Sequence, residues 1–164
     1  RSTVLANCSS VSPQKLTIMS VPITIVSFCG ETEEQFANTV DLYKQCDFDI
    51  SYHAVYSERS GTVAAKAFKD NIPLEKKKER WNVLQELMEK RTLIKNQKYE
   101  NKEVRVLVDS CNNGICFGNS DEMKLCQFLG TSDMIGTFQK IKITQALTWI
   151  LKGVQNKINP SHNL

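Results

Sequence analysis

From Tyr99 onward the chain alternates short runs of β-forming residues with turn residues, and this pattern limits the possible folds. The predicted strands cover residues 103–109, 114–118, 124–129, 136–144 and 150–154. Asn112, Asn113 and Gly114 form the turn signal of a hairpin between the first two strands. Five short strands within about 55 residues predict a small all-β, OB-like barrel.

The segment before this barrel has the pattern of a strand, a helix and a second strand. Residues 21–28 are a continuous apolar, β-rich run of the kind found in strands covered on both faces. Thr32 is a predicted helix N-cap, and Gln35 completes a capping box. A second strand is predicted at 50–56, parallel to the first because a helical crossover joins them. Two strands cannot close a barrel, so this unit predicts part of an α/β sheet or barrel.

A long helix is predicted from Leu74 to about Gln97, after a loop at 57–73 that ends in a proline suited to a helix start. Its predicted apolar stripe consists of Trp81, Leu84, Leu87, Met88 and Ile94.

The positive charge of the chain is concentrated in this helical region. Residues 66–98 hold ten basic and five acidic residues, whereas residues 99–154 hold six of each. The basic residues at the helix start are Lys76, Lys77, Lys78 and Arg80. Such a run is either a solvated face or a surface that contacts RNA phosphates, and both interpretations stay open here.

Six cysteines stand at irregular spacing, in a chain with enough apolar residues to form a core without disulfides. We therefore expect them to be reduced. Cys111 and Cys116 lack a second Cys or His pair nearby, which is poor spacing for zinc. The triplet C-x-x-x-C-x-x-C is absent from the sequence, and no metal-ligating residue is predicted.

The apolar run at 16–29 has no basic lead-in or small-residue cleavage site, so a buried strand is favoured over a signal peptide. It is also too short to span a membrane. Residues 1–20 are an unassigned lead-in, suggesting a truncated N-terminus, and 156–164 are a tail.

Three segments, taken together, resemble one family. Residues 26–36 (V-S-F-C-G-E-T-E-E-Q-F) resemble V-G-F-P-G-E-T-E-E-Q-F, and residues 56–65 (Y-S-E-R-S-G-T-V-A-A) resemble Y-S-x-R-x-G-T-x-A-A. Residues 130–136 (G-T-S-D-M-I-G) resemble G-T-x-D-x-I-G of the RNA-binding module called TRAM. In this order the segments are similar to the C-terminal third of tRNA methylthiotransferases. The nearest likeness is to the bacterial enzymes that add a methylthio group to isopentenyladenosine beside the anticodon.

The resemblance implies a fold and cofactors. Residues 21–98 would be the last part of a radical-SAM (TIM-like) α/β barrel with its long basic helix, and residues 99–155 a TRAM barrel. Members of the family use 4Fe-4S clusters and S-adenosylmethionine. We expect those cofactors in the full-length enzyme and none bound by this part alone, which would hold no catalytic residue.

The departures from the family pattern lie mainly in the first segment. Ser27 stands where the family has glycine, and Cys29 where it has proline. Cofactor binding at this strand is therefore in question. In the second segment Ser60 and Val63 replace prolines, which removes stiffness from the loop.

The candidate site residues form two groups, a strand-end loop and a set of RNA-binding cations that includes the helix residues Lys76, Lys77, Lys78 and Arg80. The loop on the substrate or cofactor side holds Tyr56, Ser57, Arg59, Gly61 and Thr62. Arg59 could grip an anion or staple the loop through backbone carbonyls. His53, in the preceding strand, is expected to be a core or wall residue. The barrel's candidate RNA contacts are Lys102, Arg105, Lys124, Lys140 and Lys142, with Phe117 and Phe128 as stacking platforms, although core packing is favoured for Phe128.

The function expected from the resemblance is that of a C-terminal fragment of a tRNA methylthiotransferase. It would supply tRNA docking, at the anticodon stem-loop, and part of the barrel wall. We expect a cytoplasmic protein without a membrane partner that needs the missing N-terminal part of the same enzyme and is a monomer when intact. Two alternatives stay open: a stand-alone RNA-binding TRAM adaptor, and a fragment of the relative that methylthiolates a ribosomal protein.

Overall fold

Strand β1 (Ile23–Val26), helix α1 (Glu33–Cys46) and strand β2 (Tyr52–Val55) are the first elements of the chain. The two strands pair in parallel over their whole length. The parallel pair with its helical crossover, predicted from sequence, is therefore confirmed.

The structure, a computed structural model, describes residues 21–155. The predicted lead-in at 1–20 and the predicted tail at 156–164 lie outside the described residues.

The start of α1 follows from two side chains. The Thr32 hydroxyl accepts a hydrogen bond from the Gln35 backbone N–H (3.2 Å), and the Gln35 Oε1 accepts one from the Thr32 N–H (2.9 Å). This reciprocal pair is the predicted capping box, and it satisfies two backbone donors that a helix start leaves unpaired. Phe36 and Tyr43 are buried on the inner face of α1.

Within residues 21–155, the two strands are covered on one face only. The side chains of Ile23 and Ile25 are 77% and 59% exposed, and Tyr52 lies exposed on the neighbouring strand. The expectation of a strand buried on both faces was therefore wrong for the structure as described. An apolar run shows that a strand can be buried on both faces, but whether each face is buried depends on the elements that pack against it.

Two helices follow β2. Helix α2 (Val63–Ala67) is short, and helix α3 (Leu74–Gln97) has the predicted bounds. Leu84 and Met88 of α3 are buried against α1 and the strands, but Ile94 is exposed. Ile94 was thus wrongly assigned to the apolar stripe.

The remaining strands form a closed five-stranded barrel in the order β3-β4-β5-β7-β6. Their bounds are β3 Glu103–Asn112, β4 Ile115–Ser120, β5 Leu125–Leu129, β6 Phe138–Ala146 and β7 Leu151–Gln155. The predicted OB-like barrel is confirmed, with strand ends shifted by a few residues. Asn113 and Gly114 have positive φ angles of 51° and 78°, as the predicted hairpin turn requires.

The interior of the barrel is filled by side chains from alternate positions along the strands. Val104, Val106 and Val108 point inward from β3 and meet Ile141 and Ile143 of β6. At two places the strands approach so closely that only glycine fits. A Cβ on Gly118 would strike the carbonyl oxygen of Leu107, and one on Gly153 would lie 2.6 Å from the carbonyl oxygen of Lys142.

The cysteines are not all reduced. Cys111 and Cys116 form a disulfide, whereas Cys29, Cys46 and Cys126 are free thiols. The expectation of fully reduced cysteines is corrected because the β3–β4 hairpin places Cys111 directly opposite Cys116, with their Cα atoms 4.0 Å apart. Sequence spacing alone does not reveal this pairing.

The chain divides into two units between Met88 and Glu89, inside α3. We refer to the described residues of these units as the first unit (21–88) and the second unit (89–155). The predicted domain boundary at 98/99 stays a prediction.

Candidate nucleic-acid interface and strand-end loop

In the first unit, the loop that follows β2 lies at the carboxyl end of the parallel strands. Its backbone is held by Thr62, whose N–H and hydroxyl both donate to the Arg59 carbonyl oxygen (3.3 and 2.8 Å). Thr62 also caps α2 by accepting from the Ala65 N–H, and Gly61 has a positive φ of 84°. The loop is therefore shaped by its own backbone and by two of the predicted residues.

A cavity of about 360 Å³ opens beside this loop. Its lining includes Ile25 and Ala54 from the two strands and Ser57 and Arg59 from the loop. The stapling in this loop goes through the Arg59 backbone carbonyl, and the Arg59 side chain is exposed. The cavity also borders Val55, Tyr56, Thr62 and Ala64, so four of the five predicted loop residues come together here.

Tyr56 lies between the loop and α3. Its ring stacks edge-on against Phe28, with centroids 4.9 Å apart, and Lys77 Nζ lies 5.4 Å from its centroid. The pKa of the Tyr56 phenol is raised, first by its hydrogen bond with Cys29 and then by burial.

His53 is half-buried in the wall, as expected. Its Nε2 lies 2.8 Å from the Ser51 hydroxyl, and Trp81 donates a hydrogen bond to its carbonyl oxygen. Burial lowers the pKa of the imidazole, which favours the neutral ring.

Two of the basic residues predicted to contact RNA are internal. Lys77 is 5% exposed and pairs with Asp70, and Arg80 is 4% exposed and donates to Glu31 and Glu33 (3.0 and 2.9 Å). Both cations hold α3 against the preceding loops, so the structure corrects their predicted place on an RNA-binding surface. The physical reason is that nearby carboxylates compensate the buried charges, which a count of basic residues does not show.

The other two cations at the start of α3 differ from each other. Lys76 is shared between Glu33 (3.2 Å) and Glu79 (3.1 Å), and these contacts raise the pKa of its ammonium. Lys78 is exposed. Of the four predicted helix cations, Lys78 alone presents its charge outward without such pairing among the described residues.

In the second unit, Lys124 is also buried. It has the same strand parity as Cys126 and Phe128, which both point into the barrel, so its predicted RNA contact is corrected too. The period of two along a strand explains its position.

The other predicted barrel cations are exposed: Lys102, Arg105, Lys140 and Lys142. Register places Arg105 of β3 opposite Lys140 of β6, and Glu103 opposite Lys142. The side chains of Glu103, Arg105, Lys140 and Lys142 share one outward face, which we call the β3–β6 face.

Phe138 completes this face, although sequence reasoning did not select it. The Arg105 guanidinium carbon lies 4.7 Å from the centroid of the Phe138 ring. Asp121 accepts from Arg105 Nε and Nη2, both at 3.0 Å, and raises the pKa of the guanidinium. The sequence could have predicted its position, because Phe138, Lys140 and Lys142 occupy alternate positions of β6 and therefore point to the same side of the strand.

The two aromatic residues that were predicted as platforms are less suitable. Phe128 is buried in the barrel core, as favoured from sequence, and Phe117 is half-buried.

The residues that the structure describes do not fit an iron–sulfur cluster, which needs several converging thiolates. Across residues 21–155, no three Cys, His, Asp or Glu side chains gather closely enough to bind a metal ion. In the same range, no helix has the length and apolar character needed to cross a bilayer.

The barrel and its sequence define a known domain class. Residues 97–154 match the TRAM domain family, so the second unit is a TRAM domain with an outward basic face.

Curated relatives extend the similarity into the first unit. The chain is 46% identical over 145 residues to a tRNA-2-methylthio-N(6)-dimethylallyladenosine synthase from Bacillus cytotoxicus, covering 85% of this chain and 28% of the relative. It is 45% identical over 133 residues to the enzyme of the same name from Bacillus velezensis, covering 79% and 26%. The predicted resemblance is thus confirmed, and the chain spans 28% of the length of the first of these relatives.

Proposed function

We propose that this chain is the C-terminal portion of a tRNA methylthiotransferase that adds a methylthio group to C2 of isopentenyladenosine next to the anticodon. The observation that carries the proposal is the similarity over 145 residues, which runs through both units and includes the TRAM domain. In this role the first unit supplies closing strands of a radical-SAM barrel. The second unit docks the anticodon stem-loop of tRNA.

The chemistry belongs to the longer enzyme. Its 4Fe-4S clusters and S-adenosylmethionine would supply radical chemistry and sulfur insertion, while the described residues of this chain supply a wall and a rim. The cavity beside the β2 loop suits that role, because Arg59 and Ser57 line it together with apolar side chains at the carboxyl end of parallel strands. We place the protein in the cytoplasm, as a monomer when intact.

A chimera tests this proposal. Residues 21–155 would replace the matching C-terminal region of the Bacillus cytotoxicus relative, in a strain without its own enzyme. We expect methylthiolated adenosine in the tRNA of that strain, measured by mass spectrometry of nucleosides. A control chimera that ends at residue 98 lacks the TRAM domain and should lose most of the product.

A second chimera separates the two units. It carries Ser27→Gly and Cys29→Pro, which restore the family residues in the first segment. If only this chimera is active, the proposed tRNA docking by the second unit is supported, and the natural residues of the turn after β1 do not allow methylthiolation. If neither chimera is active although both are soluble and bind tRNA, the proposal is contradicted.

The isolated chain gives a complementary test. After reconstitution with iron and sulfide, we expect neither stoichiometric cluster absorbance nor cleavage of S-adenosylmethionine. Cleavage by this chain alone would contradict the division of labour proposed above.

A stand-alone RNA-binding adaptor is the second candidate, favoured by the barrel's closure around its own core. Titration of tRNA at two salt concentrations separates the two functions. An adaptor binds tightly with a steep salt dependence, whereas a docking domain that normally acts beside a catalytic domain binds weakly on its own.

A further inference from the structure

An exposed aromatic ring lies at one end of the basic β3–β6 face, where β6 begins. Phe138 is 57% exposed, and Leu107, directly opposite it on β3, is also partly exposed. Leaving a phenyl ring in water forgoes the free energy of burying it. An exposed ring among cations therefore indicates a surface that is covered when a ligand binds.

Phe138 is held by the turn before β6. The Gly136 N–H donates to the Val108 carbonyl oxygen (2.9 Å), and the Val108 N–H donates to the Thr137 carbonyl oxygen (3.0 Å). Through these two bonds, Gly136 at the end of the G-T-S-D-M-I-G segment and the next residue, Thr137, are both attached to Val108 of β3. Phe138 follows immediately, so its backbone is fixed before any ligand arrives, which lowers the entropy cost of binding.

Arg105 is also positioned in advance. Its guanidinium lies over the Phe138 ring, while the bidentate contact with Asp121 fixes its orientation. A planar cation next to an aromatic ring is a surface on which a flat heterocycle can stack. A phosphate alone would need only the cations and would leave the ring uncovered.

The surrounding charges favour an anionic chain as the ligand. Lys140 and Lys142 follow Phe138 at alternate positions on the same face, and Lys102 precedes β3. Lys140 lies 3.6 Å from Glu103, an exposed contact that a phosphate can replace at little cost. Lys140 and Lys142 lie two and four residues after Phe138, so the cations extend along β6 from one side of the ring.

We propose that Phe138 and Arg105 form a stacking site for one unpaired nucleobase of RNA, with Lys140 and Lys142 contacting the adjacent phosphates. The inference rests on the proposed function, and it adds that the TRAM barrel recognises a loop or single strand rather than the backbone of a duplex. Stacking on an aromatic side chain is tolerant of base identity, so the site contributes affinity for unpaired RNA without reading sequence.

The test compares two RNA ligands with the full chain. One is the anticodon stem-loop hairpin with 2-aminopurine in its loop, and the other is a fully paired duplex of equal length. Phe138→Leu removes the aromatic face and keeps apolar bulk. We expect it to weaken hairpin binding on the order of tenfold and to leave duplex binding unchanged. Quenching of 2-aminopurine by the wild-type chain should be lost in this variant.

Two control variants isolate the stacking effect. Lys142→Gln removes a phosphate contact, so it should weaken hairpin and duplex alike and lower the slope of log affinity against log salt by about 1. Trp149→Leu changes another exposed aromatic residue of the second unit and should alter neither affinity. Circular dichroism should show the same unfolding midpoint for Phe138→Leu and wild type because the ring is exposed.

These measurements distinguish failure of the stacking site from failure of the proposed docking of the anticodon stem-loop. If the wild-type chain binds the hairpin and Phe138→Leu binds it equally well, or loses hairpin and duplex equally, the stacking site is refuted. If Phe138-dependent quenching occurs equally with an unstructured oligonucleotide, the stacking site stands and docking of the anticodon stem-loop is refuted. If no RNA binds and a protein binds this face instead, both are refuted.

Discussion

Ser27 adopts a backbone conformation that favours glycine. Its φ is 61°, its side chain is fully buried, and its hydroxyl has no hydrogen-bond partner in the described structure. The backbone N–H donates to the Glu31 carboxylate (2.8 Å), which holds the turn in this form. A left-handed conformation costs a residue with a Cβ roughly 1–2 kcal/mol. Glycine, which the family motif has at this point, would adopt this conformation without that cost.

Ser27→Gly should therefore stabilise the first unit. We expect the free energy of unfolding to rise by about 1 kcal/mol, as strain and an unsatisfied hydroxyl are removed together. Urea unfolding followed by fluorescence measures this change. Ser27→Ala removes only the hydroxyl and should have a smaller effect; an equal effect would assign the gain to the hydroxyl instead.

Arg80 is the second residue with a large expected effect. Its buried guanidinium donates to the Glu31 carbonyl, the Glu31 carboxylate and Glu33, and lies 5.3 Å from the Phe36 ring centroid. Arg80→Met would leave Glu31, which is largely buried, without its cation, so we expect a loss of about 3 kcal/mol in unfolding free energy. Lys78→Met, at an exposed position on the same helix, is the control and should change stability little. Similar effects of the two substitutions would contradict the internal role of Arg80.

At the scale of the element, the β3–β4 hairpin is stabilised in two ways. Its turn has the positive φ angles that Asn113 and Gly114 accept, and its strands are linked by the Cys111–Cys116 disulfide. The disulfide closes a loop with a sequence separation of 5, so it removes little entropy from the unfolded chain. Most of the hairpin's stability must come from strand pairing and from the barrel core beneath it.

Reduction of this disulfide should weaken the barrel without unfolding it. We expect dithiothreitol to lower the free energy of unfolding by about 2 kcal/mol at most. Thermal unfolding of the oxidised and reduced chain, with thiol counting by alkylation, measures both states. Cys111→Ser with Cys116→Ala should resemble the reduced protein, and loss of native circular dichroism on reduction would contradict this expectation.

Cys126 should not interfere with that thiol count. Burial first, and then the charge of Glu122, raises the pKa of its thiol to about 12, so the thiolate needed for alkylation is scarce in the folded protein.

At the scale of the whole molecule, the two units differ in how their charges are placed. The first unit contains two buried cations, Lys77 and Arg80, paired with Asp70 and Glu33. In the barrel Lys124 is buried, but the pairs Arg105–Asp121 and Lys140–Glu103 are solvent-exposed. Buried pairs respond strongly to loss of one partner, and exposed pairs contribute little. The stability of the first unit should therefore depend more strongly on pH.

The sign of this dependence follows from three shifted groups of the first unit. Hydrogen bonds with Lys77 and Arg80 lower the pKa of Asp70 and of Glu33, and burial lowers the pKa of His53. In each case the unfolded chain binds protons more readily than the folded unit. These three groups therefore stabilise the folded first unit when the pH is above their ordinary pKa values. Acidification removes this contribution, first below about pH 6.5 for His53 and then below about pH 4 for the carboxylates.

The two tryptophans allow this prediction to be measured, because Trp81 lies in the first unit and Trp149 in the second. In Trp149→Phe, the fluorescence of Trp81 should show urea midpoints that fall from neutral pH to about pH 3. His53→Gln should flatten the upper part of that decline, and Asp70→Asn the lower part. A first unit whose midpoint did not change with pH would contradict the assigned ion pairs.

Local chemistry along the chain determined most of the elements. The capping box at Thr32 and Gln35, the bounds of α3 and the Asn113–Gly114 hairpin follow from interactions between near neighbours, so they could be predicted. The five barrel strands could be predicted because runs of β-forming residues alternate with turn signals. The three motifs likewise predicted the similarity to tRNA methylthiotransferases.

Only the tertiary structure decided which charged and aromatic side chains face outward. From the sequence, Lys77 and Arg80 have the pattern of surface cations. In the folded chain they are paired with carboxylates that precede them in the sequence, Asp70, Glu31 and Glu33. Phe138 gains its place beside Arg105 through strand register, and Cys111 gains its disulfide partner in the same way. Near-neighbour interactions are written in the sequence itself, whereas the partner of a side chain depends on contacts that exist only once the strands and helices have packed.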